Sequence, residues 1–260
     1  MDNTVTRLSE PYENFLLRPP TAGPGVCATC WREVGSTTRC DRCREHLDLA
    51  GSVLAQVVVP ISLAIRGKQF AHELWHYKDS RLLAVRNRIR LGLTAVTERF
   101  VATHEPCLAT AAGVENFDLV TTVPSTGGRV DHPLALMVGK TMSTTRSRYR
   151  PVLRTGQDAA EGRKFSLDRF SATGRVDGSR ILLVDDTWTT GANAQSAAAA
   201  LRTAGAKTVA VLVLGRWFDA DFRPGATAEY LGRAATRRFD WDLCCLCQPQ
   251  PPLNSPPDTR

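Results

Sequence analysis

Residues 181–193 read Ile181-Leu182-Leu183-Val184-Asp185-Asp186-Thr187-Trp188-Thr189-Thr190-Gly191-Ala192-Asn193. Four apolar residues run directly into two carboxylates and a Thr-rich turn ending in glycine, and the alanine-rich stretch 194–204 that follows favours helix. A strand handing over to a helix through so short a loop is a unit of an open α/β sheet, and ligands of such sheets sit at the carboxyl ends of the strands. The helix N-terminus there offers unpaired N–H groups and a positive dipole end to a phosphate. Gly191 permits close backbone approach, and Thr187, Thr189, Thr190, Ala192 and Asn193 supply the rest of the cradle. Asp185 and Asp186 suit two ribose hydroxyls, because ionised carboxylates only accept hydrogen bonds and sugar hydroxyls donate them. A capped helix whose Asp, Thr and Asn serve only as turn residues is the bland alternative, and the complete run in this order argues against it.

Outward from this stretch, apolar runs alternate with longer amphipathic segments, as in strands and helices layered on a parallel sheet. Strands are expected at 117–123, 181–184 and 208–214, and helices at 67–77, 81–103, 130–143 and 191–204. The expected organisation is a disordered, polar, Pro/Gly-rich tail over 1–25, a cysteine-rich zinc-ribbon appendage over 26–50, one α/β domain over 51–235, and an extended, disordered Cys/Pro-rich tail over 236–260.

A chain of 260 residues with 43% apolar and 23% charged residues is neither largely disordered nor a membrane bundle. The apolar stretch from Val53 to Ile65 is interrupted by Gln56, Pro60 and Ser62 and is too short to span a bilayer. The start Met-Asp-Asn-Thr-Val-Thr-Arg lacks the features of a secretory signal, so a cytoplasmic location is expected, with no membrane insertion. The net charge of +7 favours anionic partners such as phosphorylated metabolites or nucleic acid.

Residues 181–193 resemble the sugar-phosphate loop of type I phosphoribosyltransferases. The resemblance implies that Asp185 and Asp186 hold the ribose of phosphoribosyl pyrophosphate, and that Thr189, Thr190, Gly191 and Asn193 hold its 5′-phosphate. The run from Asp118 to Ser125, followed by Arg129, resembles the strand and turn that meet the pyrophosphate. With Thr155 to Arg163, Phe170, the pair Tyr77-Lys78 and the N-terminal cysteines, the chain resembles the ComF family of competence proteins over about residues 26 to 215. That implies a type I phosphoribosyltransferase fold with a small N-terminal four-cysteine zinc ribbon, and Mg²⁺ accompanying the ligand. It also implies Lys78, Ser125 and Arg129 near the substrate, with Arg163 a further candidate for pyrophosphate. A nitrogen of a base or amine would be the acceptor. The alternative is a non-catalytic nucleotide sensor or single-stranded-DNA-binding protein of DNA uptake, with a competence-machinery partner. Within this pattern Trp188 is unusual and is expected to place its ring beside the sugar site.

Cys27-x-x-Cys30 and Cys40-x-x-Cys43 form two knuckles spaced for a structural zinc site with four tetrahedral thiolate ligands. Arg32, Arg39, Arg42 and Arg44 make this ribbon basic enough to touch phosphates. Cys244, Cys245 and Cys247, with no histidine near them in the chain, are read as reduced surface thiols in preference to a second metal site, and Cys107 as packing. His72-Glu73-Leu74-Trp75-His76 matches the helical H-E-x-x-H of zinc metalloproteases, with Glu98 the remaining candidate for a third ligand. This is a remote alternative, since a protease leaves the phosphate loop unexplained.

Overall fold

The computed structural model describes residues 3–127, 132–156, 164–222, 224–236 and 238–247. Along the chain follow α1 (Asn3–Ser9), α2 (Asp41–Ala50), β1 (Val57–Ile65), α3 (Gln69–Asp79), α4 (Leu83–Ala111), β2 (Leu119–Thr122) and α5 (Pro133–Leu136). The second half holds β3 (Leu153–Thr155), β4 (Phe170–Ala172), β5 (Arg180–Trp188), α6 (Ala192–Thr203), β6 (Thr208–Phe218) and α7 (Pro224–Ala235).

Four strands form one sheet in the order β1-β6-β5-β2, every neighbouring pair parallel. The expected α/β parallel sheet is therefore present, with a four-cysteine cluster at the N-terminal end of the chain. Side chains alternate across the sheet, so Leu182 and Val184 of β5 face one core, and Ile181 and Leu183 face the other. The first core contains Phe70 and Leu74 of α3 and Leu93, Val96 and Phe100 of α4; the second contains Ala194, Ala197, Ala198 and Leu201 of α6. Small residues on α6 let this helix lie close on the sheet behind the loop it follows. Gly215 does the same for α3, since a Cβ there would come within 2.3 Å of Leu74 Cδ1.

β1, an edge strand, occupies much of the interrupted apolar stretch 53–65. An edge position explains Pro60, which cannot donate a ladder hydrogen bond. The chain before it covers part of that edge: Leu63 N–H donates to the Leu17 carbonyl at 2.7 Å. The expected helix over 130–143 is shorter, with α5 passing into a π turn over Met137–Thr141. A small antiparallel hairpin, β3 with β4, packs over α6.

Two segments read as tails carry more order than composition suggests. Residues 3–14 are helical, and Tyr12 and Leu16 are buried in the first core. At the other end Phe239, Trp241, Cys244 and Cys245 are buried in that same core. The expectation of surface thiols therefore fails for Cys244 and Cys245, because the aromatic pair Phe239 and Trp241 carries the chain inward beside α4. Among the described residues no helix is long and apolar enough to cross a membrane.

Candidate functional site

β5 continues past its apolar run, so Asp185 and Asp186 lie at its carboxyl end and point to opposite faces. Gly191 then takes a left-handed conformation with φ +85° and starts α6. A Cβ at Gly191 would fall 2.1 Å from Cζ2 of Trp188, so the site excludes any other residue both by torsion and by contact. Trp188 lies against Gly191, its side chain buried beneath the loop in the second core.

Gly191 gives α6 no capping side chain; of the first-turn amides, Ala192 N–H donates to Thr190 Oγ1 at 3.3 Å. A pocket of about 60 Å³ opens there, lined by Asp185, Thr187, Thr189, Thr190, Gly191, Ala192, Asn193 and Ala194. The residues chosen from sequence for the 5′-phosphate thus share one small cavity with Asp185. That volume is about two water molecules' share of the liquid, the scale of an oxyanion and far below that of a nucleoside.

The two carboxylates differ in their surroundings. Asp186 is buried and accepts from the Tyr77 hydroxyl while pairing with Lys78 Nζ, both delivered by the end of α3. Burial and the Asp186 charge push the Tyr77 hydroxyl well above its usual range. Asp185 has no such cation in direct contact among the described residues. Burial first, and then the neighbouring Asp186 charge, push its carboxyl up to about 7, with Lys78 pulling the other way. An acid so placed ionises readily only when a donor or cation arrives. Asp186, Lys78, Thr187 and Thr189 also line a second cavity of about 290 Å³ with Ala71, Leu74, Trp75, Asp79 and Trp217. Thr187 and Thr189 are common to both cavities.

Ser125 lies just past β2, whose Thr122 is in register with Val184 of β5, so it belongs to the same edge of the sheet. Its Oγ accepts from Gly127 N–H at 3.4 Å. Arg129, the segment 157–163 and with it Arg163 lie outside the described residues.

Two arginines that sequence reasoning passed over support the loop. Arg216 of β6 is buried and donates to the carbonyls of Trp188 at 3.0 Å and Thr189 at 3.2 Å. The same guanidinium donates to the Cys30 carbonyl at 2.8 Å, joining the loop to the cysteine ribbon. Its signal was an arginine inside an apolar strand, which burial obliges to find acceptors. Arg169, also buried, donates to Asn193 Oδ1 at 3.3 Å and to the Lys164 carbonyl at 2.8 Å, and so ties the loop to the β3–β4 hairpin.

The ribbon sulfurs of Cys27, Cys30, Cys40 and Cys43 all lie within 4.8 Å of one another, with Cys30 and Cys40 3.7 Å apart. Cys40 N–H donates to Cys27 Sγ at 3.4 Å. Contacts with neighbouring sulfurs pull Cys27 far below the usual thiol range and push Cys40 and Cys43 far above it. Four crowded thiols that cannot ionise together fit a tetrahedral soft-metal site, and these residues could hold a structural zinc ion. The ribbon is fastened to the domain by Trp31 Nε1, which donates to the Val58 carbonyl at 2.6 Å, and by the Tyr230 hydroxyl on the Trp31 carbonyl. Its basic character is partly neutralised: Arg32 pairs with Glu33, Arg42 with Glu45 and Arg44 with Asp41.

The H-E-x-x-H reading is corrected. Glu73 is buried and accepts from the Tyr12 hydroxyl at 2.5 Å and from Gln69 Nε2 at 2.9 Å, so it faces the core and cannot serve as a base beside His72 and His76. Glu98 is engaged by Ser143 and Thr144 through four donors. Among the described residues His72, His76 and Glu98 form no metal-competent group.

No protein-family model matches the chain, and no curated protein matches it in sequence. A solved structure of glutamine phosphoribosylpyrophosphate (PRPP) amidotransferase from B. subtilis, complexed with ADP and GMP, is similar at 21% identity with a TM-score of 0.33. The likeness covers 54% of this chain and 30% of that one, so the chain spans under a third of that structure's length.

Proposed function

We propose that the chain binds phosphoribosyl pyrophosphate with Mg²⁺ through a type I phosphoribosyltransferase loop, and transfers the phosphoribosyl group to a nitrogen acceptor. One observation carries the reading: an oxyanion-sized cavity at the N-terminus of α6 has an acid, Asp185, in its wall and a second acid beside it. A phosphate site alone would exclude carboxylates, since like charges repel; a phosphate joined to a sugar uses them for its hydroxyls.

In this reading the first turn of α6 and Thr187, Thr189 and Thr190 take the 5′-phosphate, and Arg169 holds Asn193 in position for it. Asp185 and Asp186 accept from the ribose hydroxyls, and ligand donors relieve the raised Asp185 carboxyl. Lys78, already paired with Asp186, would supply a cation for the pyrophosphate. Mg²⁺, when bound with the ligand, would supply further neutralisation of pyrophosphate charge. As pyrophosphate departs, positive charge develops at the anomeric carbon, and the adjacent carboxylates stabilise it. The larger cavity, with Trp75 and Trp217 in its lining, suits a planar heterocycle as acceptor.

Calorimetric titration of phosphoribosyl pyrophosphate with Mg²⁺ into wild type and Asp185→Asn/Asp186→Asn tests this. Binding is expected in wild type and at least about tenfold weaker in the variant, the loss of two charge-assisted hydrogen bonds. Folded wild type that releases no heat at millimolar ligand would overturn the reading.

A further inference from the structure

The second cysteine group shares no residue with the ribbon's cluster or with the lining of the cavity at the loop. His104 and Cys107 sit one turn apart on α4, and Cys244 and Cys247 close the described part of the chain with a third C-x-x-C spacing. Their four ligand atoms all lie within 4.8 Å of one another. His104 Nδ1 is 3.7 Å from Cys107 Sγ and 3.9 Å from Cys247 Sγ, and the Cys244 and Cys247 sulfurs are 3.3 Å apart. A tetrahedral zinc ion, with Zn–S near 2.3 Å and Zn–N near 2.0 Å, separates its ligand atoms by roughly 3.5–3.8 Å.

The surroundings match a ligand set. His104 Nε2 lies 2.8 Å from the Trp241 carbonyl, which can only accept, so the proton resides on Nε2 and the Nδ1 lone pair faces the sulfurs. Cys244 N–H donates to Cys247 Sγ at 2.9 Å, a contact that favours a thiolate. The C-terminal segment is held in this register by independent contacts. Trp241 Nε1 donates to Glu13 at 2.6 Å, the Arg99 guanidinium stacks 4.3 Å over the Trp241 ring, and Arg18 donates to the Leu243 carbonyl.

We propose that His104, Cys107, Cys244 and Cys247 form a second, structural zinc site of three thiolates and one imidazole, which staples the C-terminal segment onto α4. Three soft sulfurs and one imidazole select zinc over hard cations, and four protein ligands leave no open position for catalysis. Cys245, between the two ligands, faces the hydrophobic core and is no part of the set.

Metal analysis of the full chain, expressed with zinc supplied and purified without chelator, tests the site. Wild type is expected to carry two zinc equivalents. Cys107→Ser/Cys247→Ser should lose one of them and Cys27→Ser/Cys30→Ser the other. Should the first variant fold poorly, His104→Cys decides instead: it converts the set to four cysteines and should keep both equivalents, whereas His104→Ala should keep one. Cobalt-substituted wild type should show thiolate charge-transfer intensity for seven sulfurs, four from the ribbon and three from this group. The proposal is overturned if no equivalent depends on Cys107 and Cys247, or if those thiols alkylate freely in the native protein. Isolation of wild type with a Cys244–Cys247 disulfide overturns it as well. None of these outcomes depends on whether phosphoribosyl pyrophosphate binds.

Discussion

The two cysteine groups differ in how the chain closes them. The ribbon's ligands fall between Cys27 and Cys43, in a stretch too poor in apolar residues to fold without a crosslink. The second group joins two pairs more than a hundred residues apart, and they meet because α4 and the C-terminal segment share one hydrophobic core. A metal held by the first group would have to order the chain around it; at the second group the chain is already ordered by Phe239 and Trp241. The wiring differs too. The ribbon reaches the phosphate loop through Arg216, while the second group rests against Trp241 and α4, behind the sheet.

The largest consequence concerns the ribbon. Structural zinc contributes on the order of 10 kcal/mol to the folding of such modules. Cys27→Ser/Cys43→Ser is therefore expected to unfold residues 26–50 and to lower amide protection across 187–191, because Arg216 loses the Cys30 carbonyl. Hydrogen exchange should show protection in 238–247 unchanged in the same sample. Persistent protection of the ribbon without metal would erase the contrast between the two groups.

A more selective cut is Arg216→Met. It keeps the ribbon cysteines and the stem's apolar volume but leaves the Cys30, Trp188 and Thr189 carbonyls without this donor. The expected cost is about 3 kcal/mol, read as a lower Tm, with zinc content retained and exchange accelerated in the loop. A normal loop in this variant would mean that the ribbon and the phosphate site are merely neighbours.

Legibility in the sequence followed the same division. The strand-loop-helix unit was readable because strand, acids, glycine and helix N-terminus are consecutive, and Asp185, Thr187, Thr189, Thr190, Gly191, Ala192 and Asn193 line one cavity. The ribbon was readable from its spacing. The burial of Trp188 was not legible, because the contact that decides its position, with Gly191, depends on where the turn folds back. Arg169 and Arg216 act through carbonyl and amide oxygens supplied by other segments, which no local pattern reveals. His104 and Cys107 looked like ordinary helix residues until the fold set Cys244 and Cys247 against them. The terminal segments seemed too polar for order because their few aromatic anchors, Tyr12, Phe239 and Trp241, are diluted among turn formers.

The smallest expected effect is also the most diagnostic of the loop. An aspartate titrates near 3.9 in the unfolded chain, whereas Asp185 in the folded protein is pushed up to about 7 by burial and by Asp186. Between those values the folded state binds a proton that the unfolded state has released, so stability falls as pH rises from about 4 to about 7 and is level above. Asp185→Asn abolishes this charge. In the ligand-free protein the variant should be more stable at pH 8, by on the order of 2 kcal/mol once solvent screening and the coupling to Asp186 are allowed for. The portion of the pH slope due to this residue should vanish. Denaturant unfolding of both proteins at pH 5, 6, 7 and 8 measures it. A variant that gains stability while losing affinity for phosphoribosyl pyrophosphate would identify Asp185 as a group held at a cost for its ligand. Superimposable stability profiles would instead mean that the carboxylate is comfortable without one, and the case for a sugar at this site would then rest on the cavity alone.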